Sequence, residues 1–403
     1  MNTVLKIRRF CSIPVLGLFL TMPNGCDLFQ ISLVDYLEDG GGDAPSSAYV
    51  YVAVSSGNDG NSGRTRGDPV KTIGRALDIW EAKLSAGANI MFLEDVPSSH
   101  GEATGSGLID LSALLSSRPG ISTLTLAGSG SGKTIDNGTV LGRSGLYINI
   151  QGKTITLQNL TITGGRGNPG GGIYINGSTV TVQAGVRISG NETGTLGGAV
   201  HVDGINSHFY MTGGTISGNK AIAPMGQGGA VYVGINGDFT MKGGTIRDNE
   251  ASTGGGIAIG GGGTMFFHDG TVRDNRGLSL GGGICIVQGT LDMQGGTVRG
   301  NTAAAGPGIV VESAGTVKMS GDARMLDPAN PVYLYGVNRM IFIGDFTGNY
   351  TAGIAVVTTN GYPPGGVAPI IFGSTLQLTA YHPFFNVDGH GFGSSLDNNG
   401  RLL

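Results

Sequence analysis

A short glycine-centred element recurs along the middle of the chain and constrains the fold more than any other feature. It reads GG[GA]-[IV]-x-[IV], with a weaker last copy. Its first apolar residues are Ile173, Val200, Val231, Ile257, Ile284 and Ile309. The steps between them are 27, 31, 26, 27 and 25 residues. A period of this size predicts a repeat architecture in which each unit packs mainly on its neighbours.

Two further elements complete each repeat. One places two apolar residues two positions apart, as in Phe209 and Met211, and the other reads T-[IV]-x-x-N, as in Thr215 to Asn219. Alternation of apolar and polar residues in all three elements indicates short strands with one buried face. We therefore predict an all-β fold, a single-stranded right-handed parallel β-helix (solenoid) with three short strands per coil.

Stacked coils bring equivalent residues into columns about 4.8 Å apart. The corner asparagines of the repeats are expected to form one amide ladder: Asn191, Asn219, Asn249, Asn275 and Asn301. Glycine accounts for 77 of the 403 residues without a G-X-Y period, which excludes collagen and supplies the many corners that a solenoid needs.

The N-terminus has the pattern of a processing signal. Lys6, Arg8 and Arg9 precede an apolar run, 10–22, that is short for a membrane span and typical of a signal-peptide core. The run ends at MPNGC, which resembles a bacterial lipoprotein cleavage box. This resemblance implies a lipidated Cys26 that anchors the chain to a membrane. Plain secretory cleavage nearby is the alternative.

Composition shifts divide the chain into five segments. We predict a signal peptide over 1–25, a lipid-anchored polar tether over 26–47, an N-terminal cap over 48–108, β-helix coils over 109–329 and final irregular coils with a C-terminal cap over 330–403. The repeats are clearest over 170–325. A capping helix is predicted at about 70–85, with an apolar stripe of Ile73, Ala76, Leu77, Trp80 and Leu84.

Two resemblances bear on function. The segment 51–77, with its PVKTIGRAL, resembles the entry segment of pectin-lyase-like β-helix proteins, a superfamily that contains polysaccharide lyases and glycoside hydrolases. The tetrapeptides GGAV at 197–200 and 228–231 resemble the G-G-A-I repeats of chlamydial polymorphic outer-membrane proteins, which suggests adhesion. Those proteins carry F-x-x-N in the second tetrapeptide, where this chain carries Ile or Val.

Composition and motifs argue against several ligand classes. The net charge is −4 and only the N-terminus is basic, so nucleic acid is not an expected partner. The segment 127–134, AGSGSGKT, imitates a phosphate-binding loop. However, Ala127 replaces its first glycine, and a turn is predicted to follow rather than a helix, so no nucleotide is expected. We predict no cofactor and no metal site.

Two outward-facing columns are candidate binding surfaces. One is charged and consists of Arg247, Asp248, Arg273, Asp274 and Arg299. The other is a strip of Tyr174, His201 and Tyr232 that continues through Ala258, Cys285 and Val310. A solvated structural face is the favoured interpretation of the first, and stacking between coils that of the second. The variable corner loop 220–227 is a candidate recognition loop.

These observations favour an exported cell-envelope protein at the outer membrane or cell surface that acts in surface interaction or adhesion without catalysis. Its expected partner is a host or matrix protein or a polysaccharide. No catalytic residue is predicted, because no concentration of acidic residues breaks the repeat symmetry. A carbohydrate-active enzyme of the pectin-lyase-like superfamily is the alternative. A purely structural envelope component is a third interpretation.

Overall fold

The computed structural model describes residues 49–83, 87–222, 224–312, 314–321, 323–325, 332–335, 340–346, 356–359 and 370–372. All of them belong to one compact unit, Pro45–Leu403. The predicted signal peptide, Cys26, the polar tether and most of the predicted C-terminal cap lie outside these residues, as does Leu84 of the helical stripe.

Short strands follow one another along the described chain. In order they are β1 Val50–Val52, β2 Gly87–Phe92, β3 Gly107–Asp110, β4 Thr123–Gly128, β5 Lys133–Asp136, β6 Ser144–Asn149, β7 Thr154–Gln158, β8 Leu160–Thr163, β9 Ile173–Asn176, β10 Thr179–Val182, β11 Arg187–Ser189, β12 Glu192–Thr193, β13 Val200–Asp203, β14 Ser207–Met211, β15 Thr215–Ser217, β16 Lys220–Ala221, β17 Val231–Val233, β18 Gly237–Arg247, β19 Glu250–Thr253, β20 Ile257–Ile259, β21 Thr264–Arg273, β22 Arg276–Leu280, β23 Ile284–Ile286, β24 Thr290–Met293, β25 Thr297–Arg299, β26 Thr302–Ala305, β27 Ile309–Val311, β28 Thr316–Gly321, β29 Arg324–Met325, β30 Val332–Tyr335, β31 Met340–Phe346, β32 Val356–Thr359 and β33 Ile370–Phe372.

Parallel pairing from coil to coil organises these strands into three sheets. A long sheet of 18 strands contains two strands of most coils, such as β10 and β11, and a ten-stranded sheet contains the third, such as β9. The predicted all-β parallel β-helix with three short strands per coil is confirmed. A fourth short strand follows the corner asparagine and forms a corner sheet of β12, β16, β19, β22 and β26.

The glycine-centred element is explained by the stacking of its own copies. The first apolar residues pair in register, as Ile173 with Val200 and Val200 with Val231, and both side chains of each pair are fully buried. A Cβ atom at Gly198 would collide with the carbonyl oxygen of Gly229 in the next coil. Only glycine therefore allows the two backbones to approach so closely at this corner.

The predicted amide ladder is confirmed. Each of the first four asparagine side chains donates a hydrogen bond from Nδ2 to Oδ1 of the asparagine one coil later, over 2.9 Å from Asn219 to Asn249 and 3.0 Å from Asn275 to Asn301. The backbone N–H groups donate to the same oxygens, and every ladder side chain is at most 2% exposed. Amides suit this position because they both donate and accept.

The N-terminal end is closed by a helix and a loop. Helix α1, Ile73–Glu81, is shorter than the predicted 70–85 because the Thr72 side chain accepts a hydrogen bond from the Arg75 N–H and begins it. The predicted stripe residues Ile73, Ala76, Leu77 and Trp80 are buried in the solenoid core. Val70 bridges to Val52 and covers the outer edge of β1.

Parallel pairing begins with β1 and β2, within the segment predicted as the N-terminal cap. A second helix, α2 Leu111–Ser116, lies between β3 and β4 and was not predicted. Its first turn is capped by the side chain of Asp110, which accepts a hydrogen bond from the Ala113 N–H.

Replacing the middle member of the ladder tests its contribution. We expect Asn249→Ala to lower the free energy of unfolding by about 2–5 kcal/mol, because the buried donors of Asn219 lose their acceptor. Asn149→Ala is the control, since Asn149 is exposed at the end of β6, and we expect a change of about 0.5 kcal/mol or less. Equal denaturant midpoints for the two variants would contradict a stabilising ladder.

Candidate functional site

The outward strip of the ten-stranded sheet is a continuous stack of aromatic rings. Tyr174, His201 and Tyr232 pair in register, and the ring centroids lie 5.5 Å apart between Tyr174 and His201 and 5.2 Å apart between His201 and Tyr232. The structure adds Tyr147, whose ring lies 5.0 Å from that of Tyr174. The sequence carried a signal for it, since LYI at 146–148 matches IYI at 173–175.

Stacking determines what this strip offers to a ligand. The Tyr147 and Tyr174 rings are nearly parallel, with an interplanar angle of 12°, so each covers a face of the other. His201 has a tyrosine ring on each side, both tilted by 38° to the imidazole. Sugars stack on open ring faces, whereas here the edges and the hydroxyl groups of the half-buried tyrosines are accessible. Ala258, Cys285 and Val310, which continue the column, are fully buried.

His201 is the most perturbed titratable group of the strip. Burial lowers its pKa from the usual 6.5 to about 4, against a smaller opposing effect of the nearby Asp203 carboxylate. The ring also has a buried Nδ1 atom without a hydrogen-bond partner in the described part of the chain. Burial raises the pKa of Tyr174 and Tyr232. The strip is therefore uncharged at neutral pH.

A pair of exposed isoleucines lies at the corner beside this strip. Ile205 follows β13 and is 67% exposed, and Ile235 follows β17 and is 58% exposed. The Gly204 N–H donates to the Ile235 carbonyl over 2.8 Å, which places the two in adjacent coils. Asp203 holds the corner, since its Oδ1 accepts the Ile235 N–H at 2.7 Å. The two residues form an apolar corner patch that the sequence analysis did not identify.

The predicted charged column is present on the long sheet, at the ends of strands β18, β21 and β25. Arg247 pairs with Arg273 and Arg273 with Arg299 across successive coils. The first two arginines form ion pairs with the aspartates next to them, Asp248 and Asp274. Arg299, which is followed by a glycine, is exposed. Four of the five charges are thus neutralised in pairs.

Asp248 and Asp274 occupy a backbone position that favours glycine. Their φ angles are 56° and 55°, and the same slot holds Gly190, Gly218 and Gly300 in other coils, all with positive φ. Aspartate tolerates this left-handed conformation better than most residues. In this conformation both carboxylates contact the adjacent arginines. The column therefore consists mainly of paired surface charges.

A second ladder of charges lies in the corner sheet and was not predicted from the sequence. The residue after each ladder asparagine lies in the corner sheet, where Glu192 pairs with Lys220, Lys220 with Glu250, and Glu250 with Arg276. The signs alternate, and Arg276 contacts Glu250 at 3.2 Å. The signal was in the sequence, since each of these residues directly follows a corner asparagine. Alternation along the stack replaces like-charge repulsion with attraction.

Other candidates from the sequence are also placed. The segment 127–134 joins β4 to β5, so a strand follows the glycine-rich turn where a phosphate-binding loop would have a helix. In the loop 220–227, Met225 is 81% exposed and Ile222 is 42% exposed. Within the described residues, no three His, Cys, Asp or Glu side chains group as metal ligands. No helix in this part of the chain is long and apolar enough to cross a membrane.

These features define a class of protein: a parallel β-solenoid whose repeats present ordered columns of side chains. Comparison with known protein families, with curated proteins and with solved structures finds no match for this chain.

The pH dependence of stability tests the burial of His201. Its folded pKa of about 4 lies below 6.5, so the folded state favours the neutral ring. The buried neutral ring therefore makes its full contribution to the free energy of unfolding above pH 6.5. This contribution is lost as the pH falls towards 4, by up to about 3 kcal/mol. We expect His201→Phe to lose less stability between pH 7 and pH 4 than the unmodified chain, as measured by denaturant titrations at both pH values.

His268→Gln is the matched control, because His268 lies on β21 of the long sheet, outside the buried strip, and its replacement leaves the buried ring in place. The control is expected to lose as much stability on acidification as the unmodified chain. If His201→Phe shows the same acid sensitivity as the control, His201 is not held neutral by burial.

Proposed function

We propose that this protein is exported, is anchored to the cell envelope at the outer membrane or cell surface through a lipidated Cys26, and acts in surface interaction or adhesion without catalysis. The solenoid serves as a rigid support, because its inner strands are paired with the coils before and after them. Recognition is proposed to take place at the corner where Ile205 and Ile235 project from adjacent coils.

The exposure of these two isoleucines is the observation that carries the proposal. The two large apolar side chains are exposed on neighbouring coils, and contiguous exposed apolar patches mark sites of protein interaction. Tyr232 lies on β17, which leads to Ile235, and Tyr174 lies on β9 of the coil before β13. Aromatic residues are enriched in the cores of protein interfaces, where apolar contacts are surrounded by polar groups such as Asp203.

The covered ring faces favour a protein over a polysaccharide as the partner. A sugar would need an open aromatic face on which to stack, and the rings from Tyr147 to Tyr232 cover one another. A protein surface needs only the apolar patch and the accessible hydroxyl groups. The proposed partner is therefore a host or matrix protein that buries the corner patch.

Binding to matrix proteins tests this proposal. We expect the purified exported chain to bind immobilised fibronectin or laminin, and Ile205→Ser/Ile235→Ser to weaken that binding at least tenfold, because burying each isoleucine contributes about 1.5–3 kcal/mol. Leu278→Ser is the control, since Leu278 is 39% exposed on a different corner. Surface plasmon resonance measures all three.

Two results would contradict the proposal. One is unchanged binding by the double variant, which would remove the corner patch from the interface. The other is depolymerisation of a polysaccharide by the purified chain without any retention on matrix proteins, which would favour the carbohydrate-active enzyme.

Mass spectrometry of the mature N-terminus tests the anchor separately. We expect a peptide that begins at Cys26 and carries a diacylglyceryl group, and its loss in Cys26→Ala, because only a thiol forms the thioether. Cys285→Ala is the matched control: Cys285 is fully buried in the solenoid, and its replacement should leave the lipidated peptide unchanged. An unmodified mature terminus in the native protein would contradict the anchor.

A further inference from the structure

Three successive coils carry a regular grid of threonines on the outer surface of the long sheet. The strands β4, β7 and β10 read TLT, TIT and TVT in turn. Thr123 pairs with Thr154 and Thr154 with Thr179, while Thr125 pairs with Thr156 and Thr156 with Thr181. The residues between them, Leu124, Ile155 and Val180, are buried, so all six threonines are on the outer face.

The geometry of this grid is fixed in two directions. Neighbouring strands place equivalent threonines about 4.8 Å apart, and alternate residues of one strand are about 6.6 Å apart. The pairings of β4 with β7 and of β7 with β10 contain no register shift, unlike the bulged pairing of β18 with β21. The β-branched side chain has few χ1 rotamers, which limits the orientations of the hydroxyl and methyl groups in the grid.

The preference of threonine for strands does not account for this grid by itself. The same two columns continue along the sheet with other residues. His208 and Tyr210 follow directly, and in later coils these slots mix threonine with charged and aromatic residues: Thr240, Thr264, Thr290 and Thr316 with Asp238, Phe266, Asp292 and Lys318. The fold therefore accepts charged and aromatic residues there. Six threonines without a charge among them distinguish these three coils from the rest of the face.

We propose that this threonine grid, Thr123, Thr125, Thr154, Thr156, Thr179 and Thr181, is an ice-binding surface. A flat array of hydroxyl and methyl groups that repeats in two directions is complementary to a ligand that itself repeats in two directions. Ice presents such a lattice, with water oxygens at spacings comparable to those of the grid. Each hydroxyl replaces one lattice water as donor and acceptor, and each methyl group occupies the space between waters.

Preorganisation is what makes such weak contacts sufficient. A single hydroxyl contributes little against bulk water, because it exchanges one hydrogen bond for another. The paired strands hold all six side chains before the ligand arrives, so binding orders few groups. A crystal surface then engages the six at once. This inference is independent of the proposed protein partner, which contacts a corner of the ten-stranded sheet.

Ice growth in the presence of the purified exported chain tests the inference. We expect thermal hysteresis and faceted ice crystals in nanolitre osmometry, and retention of the chain in a growing ice front. Thr154→Lys/Thr156→Tyr should reduce hysteresis at least tenfold by interrupting the middle of the grid. Both substitutions are compatible with the fold, because the column of Thr154 also holds the polar residues His208 and Asp238, and the column of Thr156 holds Tyr210.

Thr290→Lys is the matched control, since Thr290 lies in the same column as Thr154 but outside the three coils. It should keep the full hysteresis, and circular dichroism should confirm the fold of all variants. Absence of hysteresis in the unmodified chain, or equal hysteresis in the grid variant and the control, overturns the inference. So does binding to crystalline chitin or cellulose with no effect on ice growth.

Discussion

The stacking of asparagines at one corner is the interaction on which the rest of the solenoid depends. From Asn219 onwards each ladder oxygen accepts from a side chain and from a backbone N–H of the preceding coil, as Asn275 Oδ1 does from Asn249. Each Nδ2 also donates to a carbonyl of the coil before, such as Ile216 for Asn249. A shift of one residue in either coil would break all of these bonds. The ladder therefore fixes register, which strand pairing alone specifies less strongly.

Fixed register has consequences on the outer surface. Equivalent outward residues of successive coils must lie one strand spacing apart, whatever their chemistry. The chain uses this in three ways: stacked rings from Tyr147 to Tyr232, alternating charges from Glu192 to Arg276, and the grid of threonines on β4, β7 and β10. Each surface would be lost if the coils slipped against one another. From Asn191 to Asn301 the internal amides thus fix the register of the external columns, and in the coils before Asn191 the paired strands do so.

The sequence predicted most of the fold because its repeats report on stacking directly. The columns at Ile173, Val200 and Val231 and the asparagine ladder follow from spacing alone. The corner patch was harder to predict from the sequence. The exposure of Ile205 and Ile235 depends on the conformation of turns, and the glycine-containing turns have similar sequences in every coil. The corner sheet lacks alternating apolar residues and gave no strand signal. Burial of His201 also required coordinates, since an outward column is expected to be solvated.

The burial of that outward column has a physical cause. The glycine corner that precedes β9, one coil before His201, lies against the column, since a Cβ at Gly170 would approach Cβ of His201 to 3.2 Å. Tyrosine rings above and below close the remaining sides. Water is thus excluded from an imidazole that faces away from the core. The charged column, with two aspartates in place of corner glycines, remains solvated instead. The backbone geometry of the neighbouring corner, more than the outward direction of the side chains, determines which outward columns are buried from water.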